Sequence, residues 1–267
     1  MLSGERFEDT GSEIVETCWC GKKGDAIEDL FPDPRQGDFR ANIIGGQNTT
    51  EHEFPWQVQI RINNVFSGGG TLITPSHVLT AAHVVVSCCG LSGRAENARD
   101  VKALLGSNAK DRNIEFGVQN VSPHPDYRRT SMSSSLHYDF AILELETPVP
   151  FDDTMLPACL PSLQTLHSPH FVDEKVIVTG WGRVIADRPQ FRPTLMKTPY
   201  PTNSLRIISN TDCQDGFDRF NMELTVDESM ICTRPNGEVD ACRGDSGGPM
   251  MVKDRVTQNW TLVSKPC

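Results

Sequence analysis

Short runs of β-branched and aromatic residues, separated by turns, dominate the sequence from residue 43 onward. The runs are WQVQIRI, GTLIT, VKALLG, EFGVQNVS, FAILELE, EKVIVTGWG and WTLV. Such runs are typical of strands, because branched and aromatic side chains pack well on a pleated surface. One helix is expected near Asn210-Thr211-Asp212, where capping residues accompany only a faint 3.6-residue period. The sequence therefore predicts an all-β protein.

Residues 1–42 differ from the rest of the chain in composition and in apolar pattern. They are acidic, lack a periodic apolar pattern and include FPDPRQGDFRAN, a composition typical of an exposed linker. We therefore interpret residues 1–42 as a pro-region or linker and residues 43–267 as one folded domain. A chain of this length can bury a substantial core without metal or partner chains.

Charge and motif content disfavour several function classes. A net charge of −10 without a block of Lys and Arg argues against nucleic acid as a partner. No window of 18 apolar residues occurs, so no membrane-spanning helix is expected. The triplet Gly68 to Gly70 precedes a predicted strand instead of opening a helix, which argues against a phosphate cradle. Because zinc-type spacings and EF-hand loops are also missing from the sequence, we expect no metal and no cofactor.

Cysteines and sequons indicate an oxidising compartment. The chain contains nine Cys and three N-x-[ST] sequons, at Asn48, Asn120 and Asn259. Its opening residues, MLSGERFEDTGSEIVET, hold no apolar stretch long enough for a signal peptide. We therefore expect a secreted protein whose signal sequence lies upstream of Met1, and we leave open which sequons carry a glycan.

The hexapeptide from Gly244 to Pro249, GDSGGP, is the sharpest chemical signal. Its glycines let the backbone turn tightly, which makes the hydroxyl of Ser246 a candidate nucleophile. A serine nucleophile needs an imidazole base and a group that orients that base. His83 ends the apolar segment HVLTAAH, and Asp139 directly precedes FAILEL. Each residue alone is more often structural, but together and in this order they predict a catalytic triad.

Four segments, TAAH, DFAIL, GWG and GDSGGP, resemble the chymotrypsin and trypsin family of serine proteases from Ile43 to about Val263. The resemblance implies two six-stranded Greek-key β-barrels with the triad in the cleft between them. It also implies hydrolysis of peptide bonds in protein or peptide substrates. Only 21 residues follow Ser246, whereas the family continues more than twice as far. We therefore expect a C-terminally truncated domain with an incomplete second barrel.

The same resemblance implies a role for each candidate site residue. His83 would act as general base and then acid, Asp139 would orient its tautomer, and Ser246 would be the nucleophile. The backbone N–H groups of Gly244 and Ser246 would form the oxyanion hole. Asp240 matches the floor of the primary specificity pocket, where a carboxylate selects Lys or Arg. The alternative, that Asp240 is a solvated loop charge, stays open at this point.

The segment IIGG resembles the N-terminus that the family exposes on activation. The α-amino group of Ile43 would then pair with the carboxylate of Asp245, because a buried carboxylate needs such a partner. The family places Arg or Lys directly before this position, whereas the present chain has Arg40-Ala41-Asn42. Either an enzyme that cuts after Asn42 activates the protein, or it is activated abnormally or not at all.

Two disulfides of the family are expected to be lost as complete pairs. Gly68 and Val84 occupy the positions of one pair, and Val176 and Val252 occupy those of the other. Because both cysteines of each pair are replaced, neither replacement leaves an unpaired cysteine. Each missing bridge costs up to a few kcal/mol unless packing compensates.

The remaining cysteines are partly assigned by the resemblance. Cys213 and Cys232 match a loop disulfide, and Cys159 matches the residue that tethers the lead segment, through Cys18 or Cys20. Adjacent cysteines rarely bridge each other, because the geometry is strained. Partners stay unassigned for Cys88, Cys89, Cys242 and Cys267.

These expectations lead to a secreted trypsin-like endopeptidase as the first hypothesis for function. Its expected partners are protein substrates, an activating protease and protein protease inhibitors. A noncatalytic serine protease homologue that acts as a binding or regulatory protein is the alternative from another class. An inactive truncated isoform is the third reading.

Overall fold

A computed structural model of the chain describes most of the domain and two residues of the lead segment. The described residues are 20, 22, 46–86, 95–127, 137–162, 171–182, 192–202, 204–222, 224–234, 244–255 and 257–264. The expected boundary between residues 42 and 43 lies outside this part of the chain.

Six antiparallel strands form a closed barrel in the N-terminal half of the domain. They are β2 (Gln57–Ile62), β3 (Val65–Thr74), β4 (His77–Thr80), β5 (Val101–Leu105), β6 (Ile114–Pro123) and β7 (Ala141–Leu145). Around the barrel the order is β2-β3-β4-β7-β6-β5, with β5 pairing back onto β2. Five of the predicted strand runs lie in this barrel. The short strand β4 was not predicted as a separate element.

A seven-stranded sheet combines six strands from the C-terminal half with one strand from the start of the domain. Its strands are β1 (Gln47–Asn48), β8 (Lys175–Gly180), β9 (Met196–Lys197), β10 (Leu205–Ile208), β11 (Cys232–Arg234), β12 (Met250–Lys253) and β13 (Trp260–Ser264). Strand β8 is its hub, since it pairs with β9, β10 and β12. Within the described residues this sheet does not close into a barrel. One closed barrel and a second sheet confirm the predicted all-β, trypsin-like fold.

The barrel and the second sheet both contribute to the larger hydrophobic cluster, and a smaller cluster lies within the second sheet. A single cluster of buried residues includes Ile60 from β2 and both Met251 and Leu262 from the second sheet. Gln57 of β2 is also buried, and its side-chain oxygen accepts a hydrogen bond of 2.5 Å from the hydroxyl of Thr179 in β8. Strand β2 is therefore covered on both faces, which explains why its glutamines are buried along with its aliphatic residues.

The predicted helix near Asn210 is present as α2 (Asn210–Arg219), while α1 (Ala82–Val85) is a single turn and Ala98–Asp100 forms a 3₁₀ turn. Ser209 caps α2, because its hydroxyl accepts a hydrogen bond from the backbone N–H of Asp212. Only Cys213 is buried among the described residues of α2, which accounts for its faint apolar period. Among the described residues, no helix combines the length and the apolar character needed to cross a membrane.

Two disulfides are formed among the described residues. Cys213 of α2 is bonded to Cys232 of β11, as the resemblance implied. Cys20 is bonded to Cys159, which settles the choice between Cys18 and Cys20. Cys159 also exchanges backbone hydrogen bonds with β13, so this bridge attaches the lead segment to the second sheet. The four unassigned cysteines lie outside the described residues.

At each of the two expected disulfide losses, the two residues lie side by side in the structure. Val176 of β8 and Val252 of β12 are direct partners in the antiparallel register, and both are buried. A Cβ atom built on Gly68 would lie 2.9 Å from a methyl carbon of Val84. Val176 and Val252 thus pack together at one of these sites. At the other site, the missing side chain of Gly68 leaves space for Val84.

We predict that the variant Val176→Cys/Val252→Cys forms a disulfide, because register partners on antiparallel strands lie within bridging distance. The oxidised double variant should exceed each single variant in free energy of unfolding by about 2–4 kcal/mol. Urea denaturation without reductant measures this difference and leaves the native disulfides intact. Two free thiols at these positions in the folded double variant would contradict the register.

Candidate active site

The pairing of β4 with β7 brings the predicted base and its orienting group together. Thr80, the last residue of β4, is the register partner of Ala141, the first residue of β7. The chain continues from β4 into α1, which carries His83, and Asp139 lies two residues before β7. Both side chains therefore project from the same edge of the barrel, although 56 positions separate them in the sequence.

The carboxylate of Asp139 holds His83 through two hydrogen bonds. Its Oδ2 lies 2.7 Å from Nδ1 of His83, and its Oδ1 accepts the backbone N–H of His83 at 2.8 Å. An ionised carboxylate only accepts hydrogen bonds, so Nδ1 of a neutral imidazole must carry the proton. This tautomer leaves Nε2 as the basic nitrogen. Asp139 is 3% exposed, whereas the side chain of His83 keeps 20% of its surface accessible.

Ser246 lies in a tight turn that only glycine can complete. The backbone N–H of Gly248 donates to the carbonyl of Asp245 at 3.0 Å, which closes the turn around Ser246. Gly244 and Gly247 have φ angles of 98° and 80°, a region that side chains with a Cβ rarely adopt. At Gly247 a Cβ would also lie 2.4 Å from the hydroxyl oxygen of Thr80. The glycines predicted to shape this turn are therefore required by it.

The Ser246 turn packs directly on the glycine triplet of β3. The backbone N–H of Gly69 donates to the carbonyl of Ser246 at 2.8 Å, and the hydroxyl of Thr80 donates to the carbonyl of Gly69 at 2.8 Å. A Cβ on Gly68 would lie 2.7 Å from the carbonyl oxygen of Ser246. The same Cβ would lie 2.9 Å from a methyl carbon of Val84, so the turn lies beside the helix that carries His83.

The position of the triplet corrects one expectation from the sequence. Gly68 to Gly70 lie inside β3 and do not precede it. Their role is close backbone approach, since a Cβ on Gly69 would lie 2.8 Å from Cα of Gly248. The sequence did not predict that Gly68, Gly69 and Thr80 pack against the turn that carries the nucleophile. The signals in the sequence were the run of three glycines and, for Thr80, its place in the TAAH segment.

Asp245 is completely buried beside the GWG segment. Its Oδ1 accepts the backbone N–H of Gly182 at 2.9 Å. A Cβ on Gly180 would lie 2.1 Å from the same oxygen, so both glycines of GWG leave space for this carboxylate. A buried carboxylate requires compensating hydrogen bonds or charge, and Gly182 supplies one of them. Ile43, its proposed partner after activation, lies outside the described residues.

Of the two remaining predicted site residues, Gly244 and Asp240, the structure describes only Gly244. Gly244 lies in the same turn as Ser246, two residues earlier. Asp240, the predicted specificity residue, is outside the described part of the chain. Across the described residues, no three His, Cys, Asp or Glu side chains come together as a group able to hold a metal ion.

Comparison with known proteins agrees with this geometry. The family model described as Trypsin matches residues 43–266. Chymotrypsin-C of Bos taurus is 31% identical over 232 residues, which cover 85% of this chain and 78% of that protein. The clotting factor G beta subunit of Tachypleus tridentatus is 32% identical over 83% of this chain and 69% of its own length.

Some relatives are much longer than the matched region. Melanization protease 1 of Drosophila melanogaster is 31% identical over 238 residues, or 81% of this chain, but the match spans only 56% of that protein. The chain thus corresponds to a little over half the length of this relative.

We predict opposite effects of alanine at two glycines. Gly180→Ala places a Cβ against the buried Asp245 and should lower the free energy of unfolding by about 1–3 kcal/mol. Gly216→Ala is the matched control, since Gly216 lies in α2 with open space around it. That change should raise the free energy of unfolding by about 0.5–1 kcal/mol. Urea denaturation measures both; equal stabilities of the two variants would contradict the packing of Asp245 on Gly180.

Proposed function

Because the chain belongs to the trypsin family of serine proteases, we propose that it is a secreted endopeptidase that cleaves peptide bonds after Lys or Arg. The observation that carries this proposal is the bonded pair of His83 and Asp139 with the Ser246 turn beside it. An imidazole oriented by a buried carboxylate near an accessible serine is an arrangement suited to nucleophilic catalysis.

The proposed reaction proceeds through an acyl-enzyme. Nε2 of His83 removes the proton from the hydroxyl of Ser246 as its oxygen attacks the substrate carbonyl. The resulting oxyanion accepts hydrogen bonds from the N–H groups of Gly244 and Ser246. The protonated His83 then donates its proton to the leaving amine, and the peptide C–N bond breaks. Water repeats the sequence on the ester, which releases the acid and restores Ser246.

Asp139 contributes by fixing the tautomer and orientation of His83. Its two hydrogen bonds hold the ring and the backbone of His83 at once, so the imidazole does not need to reorganise during catalysis. The buried negative charge also stabilises the imidazolium that forms when His83 takes up the proton. A carboxylate that is 3% exposed is poorly screened by solvent, which strengthens this effect.

Specificity and activation are proposed from the motif positions. Asp240 would select Lys or Arg by pairing with the cationic side chain of the substrate. Exposure of Ile43 would supply the amino group that pairs with Asp245. Since Asn42 precedes Ile43, we propose an activating protease that cuts after Asn. Relatives named as a melanization protease and a clotting factor subunit support protein substrates, and with them protein inhibitors, as partners.

Secretion is supported by the disulfides and by the positions of the sequons. Two disulfides are formed among the described residues, and such bridges persist in oxidising compartments. Asn48 and Asn120 are exposed, and Asn259 is partly exposed. All three are thus open to glycan attachment in a secreted protein.

A noncatalytic binding or regulatory protein is the second candidate function. The observation that favours it is the sequence Arg40-Ala41-Asn42, because cleavage after Arg40 leaves two extra residues before Ile43. A chain that cannot present Ile43 to Asp245 would keep the fold without a competent site.

We predict that cleavage after Asn42 by an asparaginyl endopeptidase produces activity toward an Arg ester. Turnover should exceed that of the matched Phe ester, because Asp240 favours a cationic side chain. Ser246→Ala should lower kcat by roughly a million-fold, since the triad acts as a unit. Ester hydrolysis monitored by absorbance measures both effects.

Ser246→Ala treated with the same processing enzyme reports any background hydrolysis. Asp240→Asn should lower the rate with the Arg ester and leave the Phe ester unchanged. A folded protein with a verified Ile43 N-terminus and no turnover would overturn the endopeptidase proposal and favour the noncatalytic one.

A further inference from the structure

The segment that carries Asp139 is held by a second set of contacts outside the triad. His137, two residues before Asp139, places its Nδ1 2.5 Å from Oδ2 of Asp227. The backbone N–H of Tyr138 donates to the hydroxyl of Ser229 at 3.1 Å. Asp227 and Ser229 follow α2 in the C-terminal half of the domain. The barrel segment that presents Asp139 is therefore attached to the other half of the protein.

Tyr138 has an unfavourable backbone conformation, which the contacts with Asp227 and Ser229 help to maintain. Its φ angle is 52°, in the left-handed region that is unfavourable for a bulky residue. The ring of Tyr138 stacks on His124, with centroids 5.0 Å apart, and the N–H of Phe140 donates to the carbonyl of Tyr138 at 2.7 Å. Any relaxation of this residue would rotate the adjacent peptide of Asp139.

Asp227 and Ser229, which hold His137 and Tyr138, are themselves fixed by hydrogen bonds. Oδ1 of Asp227 accepts the N–H of Ser229 at 2.9 Å and its hydroxyl at 2.6 Å. The carbonyl of Asp227 accepts the side-chain amide of Asn210 at 2.7 Å, at the start of α2. Although burial alone raises the pKa of Asp227, hydrogen bonds from Ser229 and His137 outweigh it and lower that pKa. Asp227 thus faces His137 as a carboxylate.

We propose that the Asp227–Ser229 turn is a positioning element for the triad, which holds His137 and Tyr138 and thereby fixes the carboxylate of Asp139 against His83. The catalytic consequence rests on the proposed function. The described hydrogen bonds of the turn reach His137 and Tyr138, directly before Asp139, and none of them reaches Ser246 or His83. Loss of the turn should lower the rate of the chemical step and leave the affinity for substrate unchanged.

The first test is independent of turnover and uses the full, unprocessed chain. The Nδ1 proton of His83, held by Asp139, gives a downfield proton resonance that exchanges slowly with water when the hydrogen bond is rigid. In Asp227→Ala its exchange should accelerate about tenfold, because the segment opens locally more often. Labelled histidine and the variant His137→Ala separate this resonance from that of His137.

The second test uses the protein cleaved after Asn42 and an Arg ester. Asp227→Ala and His137→Ala should each lower kcat about tenfold through misplacement of Asp139, with KM changed less than about twofold. The double variant should lose no more than Asp227→Ala alone, because that change already removes the contact with His137. His137→Ala also keeps the test decisive if Asp227→Ala fails to fold.

Asp152→Ala is the matched control, because it removes an aspartate that holds a turn in the same way but lies outside the proposed positioning element. Oδ1 of Asp152 accepts the N–H of Thr154 at 2.8 Å and its hydroxyl at 2.7 Å, as Asp227 does with Ser229. Hydrogen bonds from Thr154 likewise lower the pKa of Asp152. This variant should match the wild type in kcat and in the His83 resonance.

The outcomes separate the two proposals. If Asp227→Ala and His137→Ala behave like Asp152→Ala in both tests, the positioning role is overturned. If the wild type shows no turnover but the His83 resonance changes in Asp227→Ala, the positioning element stands and the endopeptidase proposal fails. A rise in KM with unchanged kcat would overturn positioning in favour of a substrate-binding role.

Discussion

The close approach of the Ser246 turn to strand β3 is the contact on which the site depends. Backbone meets backbone here, with the N–H of Gly69 bonded to the carbonyl of Ser246 at 2.8 Å. Such an approach tolerates no Cβ on either side, as the positions around Gly68 and Gly247 show. Because β3 belongs to the barrel and the turn leads into β12 of the second sheet, this contact aligns the two halves of the domain.

The second requirement is a stable orientation of the base, and β-sheet pairing supplies it. The register of β4 against β7 sets the separation of His83 and Asp139 before any side chain is considered. Two hydrogen bonds to the buried carboxylate then fix the imidazole. The turn from Asp227 to Ser229 extends this scaffold, since it restrains the residues directly before Asp139 from the other half of the domain.

Much of the fold was predictable because its longer strands have strong local patterns. All seven predicted strand runs are strands in the structure. The strands that were missed, such as β9 (Met196–Lys197) and β11 (Cys232–Arg234), are two to four residues long. Strands this short carry no alternating pattern, and cross-strand hydrogen bonds from distant segments define them. The sequence pattern predicts the glycine triplet before the strand for a related reason, since glycine usually interrupts a strand pattern.

The sequence by itself determined the chemical groups, the strand-rich fold class and the family, because motifs such as GDSGGP and DFAIL are local. The tertiary structure alone decided how those groups meet. Cys20 rather than Cys18 bonds to Cys159, Gly68 and Thr80 seat the Ser246 turn, and Asp227 reaches His137 across 90 positions. These contacts join residues far apart in the chain, and their geometry depends on sheet packing, which no local pattern encodes.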